Sequence, residues 1–252
     1  MAGRTLTVDM HDDDLLPAWQ TVVALAQSGA AAEWTLVGGM MVAVHARRAG
    51  LVMRRPTDDV DAVVDLVAND MGLIEARLAL HALGFELDTD GTHAYRFQHA
   101  DGRQVDLMVA DHLPRRVWAR LARLPAFEVP AGEQAIRRRD VYRLNFRSGT
   151  AARMGVADEL AALVLKGAAY RVDSRDRTRH LDDTAVLLAC IEDASALDYA
   201  SMSANDRRRI KATTDALVDD AHASWGSLDD ADRHRGWVNL LLIRQTLGLA
   251  SS

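Results

Sequence analysis

The sequence predicts an α+β protein, with an α/β N-terminal domain over residues 1–150 and a helical domain over 151–252. Three observations carry that reading. The first half interleaves helix-period and strand-period apolar segments, and Asp101-Gly102 between two apolar runs signals a hairpin. From Ala157 onward only helical spacing recurs. Hydrophobic residues make up 49% of the 252 and charged residues 26%, a globular composition that argues against disorder.

Taken in order, Leu15 to Ala32 reads as an amphipathic helix, since Pro17, Gln20, Gln27, Ser28 and Gly29 interrupt an otherwise uncharged run. Trp34 to Val37 is a short strand ending at Gly38-Gly39, and a helix from about Met40 to Arg48 follows. Val60 to Leu66 reads as a strand and Leu73 to Leu83 as a helix closed by Gly84. His93 to Gln98 and Gln104 to Val109 flank the hairpin turn, and a last strand is expected at Val141 to Phe146. Beyond it the spacing predicts helices over Ala157 to Tyr170, His180 to Ile191, Ala204 to Val218 and Asp229 to Leu247.

Charge and cysteine usage remove several classes of function. With 30 basic and 36 acidic residues the net charge is −6, which rules out a uniformly basic nucleic-acid coat but leaves local basic patches open. The single cysteine, Cys190, cannot form an intramolecular disulfide or build a zinc site, and the nine histidines show no metal-ligand spacing. No run reads as a membrane span, and the first residues lack a signal pattern, so a cytoplasmic protein is expected. Neither a Gly-x-Ser-x-Gly elbow nor a Walker loop is present.

Candidate chemistry concentrates between Val37 and Asp65. A strand that ends in Gly38-Gly39 and opens a helix lets backbone N–H groups approach an anion, although a Gly-Gly pair also suits a plain turn. In Arg55-Pro-Thr57-Asp58-Asp59-Val60-Asp61, the pleat points Asp59 and Asp61 to one side and Asp58 to the other. Two carboxylates brought together repel unless a cation lies between them, and hard oxygen donors suit Mg²⁺ or Mn²⁺. Asp106, inside the apolar run Val105-Asp-Leu-Met-Val109, is either an exposed edge acid or a third carboxylate of that cage. Only two of the 30 basic residues are lysine. One of them, Lys166, sits in a helix that is apolar all round, where it must snorkel or meet an anion such as a triphosphate. Arg137-Arg138-Arg139 with Arg143 and Arg147 forms a candidate surface for nucleic-acid phosphates, whereas Arg207-Arg208-Arg209 reads as a solvated helix face.

The string Gly38-Gly39, Arg55-x-Thr57-x-Asp59-x-Asp61, then Asp106, resembles the nucleotidyltransferase superfamily with the polymerase-beta-type core. The wider layout, from about residue 34 to 190, is similar to the AbiEii/AbiGii-type toxin nucleotidyltransferases, including the MenT group. The resemblance implies a mixed-sheet nucleotidyltransferase core followed by a helical domain. It also implies transfer of a nucleoside monophosphate from an NTP, with Mg²⁺ or Mn²⁺ on Asp59, Asp61 and Asp106. In the MenT group the acceptor is the 3′ end of tRNA, so tRNA and a cognate antitoxin are the implied partners. Gly38, Gly39, Thr57, Lys166 and Arg179 match positions that would hold the nucleotide, and Lys166 and Asp183 would join the catalytic set. The family's basic and acidic segment is matched by Arg175-Asp-Arg177-Thr-Arg179-His180-Leu-Asp182-Asp183, but Arg179 replaces a lysine and His180 stands where the first acid is usual. Asp183 could orient Lys166 or a substrate hydroxyl, or simply favour a helix N-terminus. Two other readings stay open: an enzyme of the same core acting on an aminoglycoside-type acceptor, and a nucleotide-binding module without turnover.

Overall fold

The computed structural model describes residues 3–10, 16–52, 57–115, 117 and 119–249. Arg55 of the acidic motif and Leu15 at the expected start of the first helix lie outside the described residues. The chain divides into two compact units, Met1–Met41 with Arg55–Asp158, and Val42–Arg54 with Glu159–Ser252.

The elements run β1 (Thr5–Asp9), α1 (Pro17–Gln27), β2 (Trp34–Leu36), α2 (Gly38–Arg48), β3 (Asp59–Val64), α3 (Gly72–Ala82), β4 (Phe85–Leu87), β5 (Arg96–His99) and β6 (Gln104–Ala110). Next come β7 (Arg120–Leu121), β8 (Leu124–Pro125), β9 (Glu128–Val129), α4 (Gly132–Arg137), β10 (Arg139–Asn145), β11 (Ala151–Ala157), α5 (Glu159–Val172), α6 (Thr178–Cys190), α7 (Ala204–Ala216) and α8 (Asp230–Thr246). The result is α+β with a mixed sheet. Among the described residues no helix is long and apolar enough to cross a membrane.

In the first unit nine strands make one sheet, in the order β1-β10-β11-β2-β3-β6-β5-β4, with β9 pairing beside β6. β3 and β6 run parallel, and the β5–β6 hairpin is antiparallel, as the Asp101-Gly102 turn predicts. Strand alternation sorts the faces: along β10, Asp140, Tyr142 and Leu144 are buried and Arg143 is exposed. Trp19, Trp34, Phe85, Phe97 and Tyr142 fill the core, and Trp19 of α1 lies 6.4 Å from the Phe146 ring.

The second unit is helical. Every α5 residue from Glu159 to Ala168 is buried, as expected of a helix that is apolar all round. Gly167 allows α7 close approach, since a Cβ there would lie 2.1 Å from the Arg209 carbonyl oxygen. α6 packs on α8, and Ala189 and Cys190 form a small cluster with Ala46 and Leu51.

Six strands, β1, β4, β7, β8, β9 and β11, lie outside the sequence expectation. β1 precedes the first predicted element, and β11 lies where strand signals were expected to have stopped. β11 reads Ala-Ala-Arg-Met-Gly-Val-Ala, with one β-branched residue in seven, so intrinsic propensity hides it. Its place between β10 and β2, not its composition, makes it a strand.

Candidate functional site

The acidic residues of the first unit come together through strand register. Asp59 and Asp61 alternate with buried Val60 and so face one side of β3. Asp61 is the register partner of Asp106 on β6, and Asp59 that of Gln104. Asp59 is exposed, Asp61 half-buried and Asp106 buried, which makes a graded acidic edge rather than an enclosed cage.

Gly38-Gly39 belongs to this edge for a steric reason. Gly38 has φ +62°, and a Cβ there would lie 1.9 Å from Asp61 Oδ2. A Cβ on Gly39 would lie 2.8 Å from Thr57 Oγ1. The missing side chains thus admit Asp61 and Thr57 against the first turn of α2. The Val37 N–H donates to the Asp61 carbonyl at 3.0 Å, tying this turn to β3, and Thr57 Oγ1 donates to the Asp59 carbonyl at 3.4 Å. Four of the residues expected to act together, Gly38, Gly39, Thr57 and Asp61, are therefore in one contact set.

Asp106 is placed differently from its expected role. Arg96, its register partner on β5, grips it in a fork: Nε donates to Oδ1 at 3.0 Å and Nη2 to Oδ2 at 2.8 Å. The guanidinium is 36% exposed and the carboxylate 12%. The bidentate bond to Asp106 raises the Arg96 pKa above its ordinary value against the opposing effect of burial, and Asp59 adds attraction. Both Asp106 oxygens are therefore engaged by a cation of the chain itself. Among the described residues, no group of three or more His, Cys, Asp or Glu is arranged to hold a metal ion. Asp59 and Asp61 have the donor chemistry and shared face that a hard divalent cation requires; Asp106, turned to Arg96, does not fit as a third ligand in this arrangement. Arg96 was missed by sequence reading, although the hairpin turn that pairs residues 98 and 104 also sets 96 opposite 106.

In the second unit Lys166 Nζ donates to Asp183 Oδ2 at 2.6 Å, with side-chain exposures of 6% and 18%. Of the open readings of Asp183, orienting Lys166 is the one this contact expresses. Arg179 and His180 converge on a residue that sequence reading did not single out, Asp173. Its Oδ2 accepts from Arg179 Nη2 and from His180 Nε2, both at 3.0 Å, while Oδ1 accepts the N–H groups of Arg175 and Asp176. The Arg175 N–H, then His180, hold the Asp173 carboxyl well below its ordinary range. Burial lowers the His180 pKa, and the nearby charges of Lys166 and Arg179 oppose protonation further, against the pull of Asp173. His180 thus serves as a neutral donor to Asp173. The signal for Asp173 was its spacing: an acid two and three residues before open N–H groups forms a local turn.

The expected arginine surface is divided. Arg137 faces Glu133 at 3.9 Å, Arg138 Nε donates to both Asp158 oxygens at 3.2 and 3.1 Å, and Arg139 faces Glu33 at 3.7 Å. Their charge is largely answered within the first unit. Arg143 and Arg147 are exposed, and among the described residues Arg143 makes only a neutral hydrogen bond, to Asn145 Oδ1 at 3.2 Å. Comparison with protein-family models, with curated proteins and with solved structures found no match.

Proposed function

We propose that the protein is a metal-dependent nucleotidyltransferase that moves a nucleoside monophosphate from an NTP to the hydroxyl of an RNA, with the 3′ end of tRNA as the acceptor. One observation carries this reading: the Gly38-Gly39 turn is shaped around Asp61 and Thr57, and Asp61 of β3 lies in register with Asp106. A structural turn needs no carboxylate against its backbone. A nucleotide site does, because the helix N-terminus favours phosphate while the acids favour the cation that accompanies it.

In the reaction the acceptor oxygen bonds to the α-phosphorus, the bond from that phosphorus to the bridging oxygen breaks, pyrophosphate leaves and the hydroxyl proton passes to solvent. Asp59 and Asp61 are the residues that would hold a divalent cation, which when bound supplies charge neutralisation for the triphosphate. The first turn of α2 orients phosphate through its N–H groups. Arg96 offsets the charge of Asp106, so that the edge is less repulsive to an incoming polyanion than three bare acids would be.

The test is incubation of the purified protein with each labelled NTP, Mg²⁺ and total tRNA, followed by gel separation. Label on tRNA that is lost in Asp61→Asn is the expected result. Label on an aminoglycoside and on no RNA would replace the acceptor.

A further inference from the structure

The face of β1, β10 and β11 that lies opposite the buried Val8, Tyr142, Leu144 and Met154 carries an unusual pair. Arg143 on β10 and Arg153 on β11 are direct register partners and both are exposed. Cross-strand Cβ atoms lie about 4.5–5.5 Å apart, and like charges set so are destabilising. Neither arginine has a carboxylate partner among the described residues. Beside them stand Thr5, Thr7 and Asp9 of β1, all exposed, and Asp9 accepts from Asn145 Nδ2 at 3.2 Å. Among the described residues, Asp9 is the one acid that register places on this part of the face.

The same register relates this pair to the acidic edge. Gly155, Thr35 and Val63 form one row across β11, β2 and β3, and row partners share a face. Arg153 is two residues from that row in one direction and Asp61 two in the other. At about 3.3 Å per residue and about 4.8 Å per strand, the offset is about 13 Å along the strands and about 10 Å across. An uncompensated basic pair therefore shares a sheet face with the acids, a short chain length away.

We propose that the exposed part of this face around Arg143 and Arg153 is where the RNA acceptor's backbone docks, with a phosphate bridging the two guanidinium groups while the 3′ end passes the buried row of Gly155, Thr35 and Val63 to reach Asp59 and Asp61. This rests on the nucleotidyltransferase reading for the acceptor's identity, but the docking itself does not require turnover. A phosphate between the two guanidinium groups supplies the anion that the like-charged pair lacks, and each such contact releases counterions.

The experiment measures binding of 5′-labelled total tRNA by anisotropy, without NTP, over a range of salt. Arg143→Glu with Arg153→Glu should weaken binding at least tenfold at moderate salt. It should also flatten the plot of log affinity against log salt by about 0.7–0.9, the slope expected for the loss of the one bridged phosphate. Arg143→Lys with Arg153→Lys should retain most of the slope, and both variants should melt with the parent. Unchanged affinity and slope in the double reversal would overturn the proposal, as would binding lost to phosphatidylglycerol vesicles but kept for tRNA. If the parent binds tRNA through these arginines but transfers no nucleotide, the docking face stands and the enzyme reading falls. If it labels tRNA equally well with both residues reversed, the reverse holds.

Discussion

Asp106 in the sheet unit and Lys166 in the helical unit each meet one opposite charge, yet the two pairs differ in how tightly water is shut out. Arg96 grips Asp106 with two parallel bonds but leaves its own guanidinium 36% exposed. Lys166 makes a single bond to Asp183 and is 6% exposed. A strand places its partner by register, and the pair remains at the solvent edge. A fully apolar helix buries its cation first and depends on one acid to make that tolerable. The difference teaches that the fold cannot lose one half of the helical pair alone, whereas the sheet pair is the one that function can adjust.

The largest effect expected is in the helical unit. Asp183→Ala leaves the Lys166 ammonium buried without its counter-charge and should cost about 3–5 kcal/mol in urea unfolding. Lys166→Met combined with Asp183→Leu should regain most of that, because an apolar pair of similar volume removes the stranded charge. Equal loss in the single and double variants would erase the contrast between the two regions.

Next in size is the acidic edge. Asp61→Asn should lower nucleotide transfer about a hundredfold, which is about 2.7 kcal/mol of transition-state stabilisation, while the melting temperature stays within a few degrees. Arg96→Gln should cost only about 1–2 kcal/mol of stability, because solvent already screens the exposed guanidinium. A loss as large as that of Asp183→Ala would mean that the sheet pair is structural in the same sense as the helical one.

The smallest effect is on pH. His180 and Asp173 are both held below their ordinary values, so the unfolded chain binds more protons than the folded one in the acid range. Their contribution is complete above about pH 6.5, begins to fall as His180 protonates, and falls again below 3.8 as Asp173 does. Unfolding followed between pH 8 and 3 should therefore show stability declining with acid, and His180→Asn should flatten the upper part of that decline.

Much of this site was legible before the fold was known. Gly38-Gly39, Asp59, Asp61 and Asp106 were marked by spacing and by a charge in an apolar run, both of which are local signals. Arg96 and Arg153 were not, because what matters about them is the residue opposite, and one lies in a strand whose small side chains give no periodic signal. Arg137 to Arg139 show the converse: a run that is conspicuous in sequence is largely answered by Glu133, Asp158 and Glu33, at separations that local reading does not reach.

The course of the chain adds one more consequence. The segment Val42–Arg54 belongs with Glu159–Ser252, yet it is made before most of the sheet. During synthesis, Ala46 and Leu51 leave the ribosome long before Ala189 and Cys190, against which they settle. Domains ordinarily fold as they emerge. Here the helical unit must wait with an early piece of itself unburied until α6 has been made, so a fragment cut after Asp158 carries a greasy remnant that belongs to a missing half.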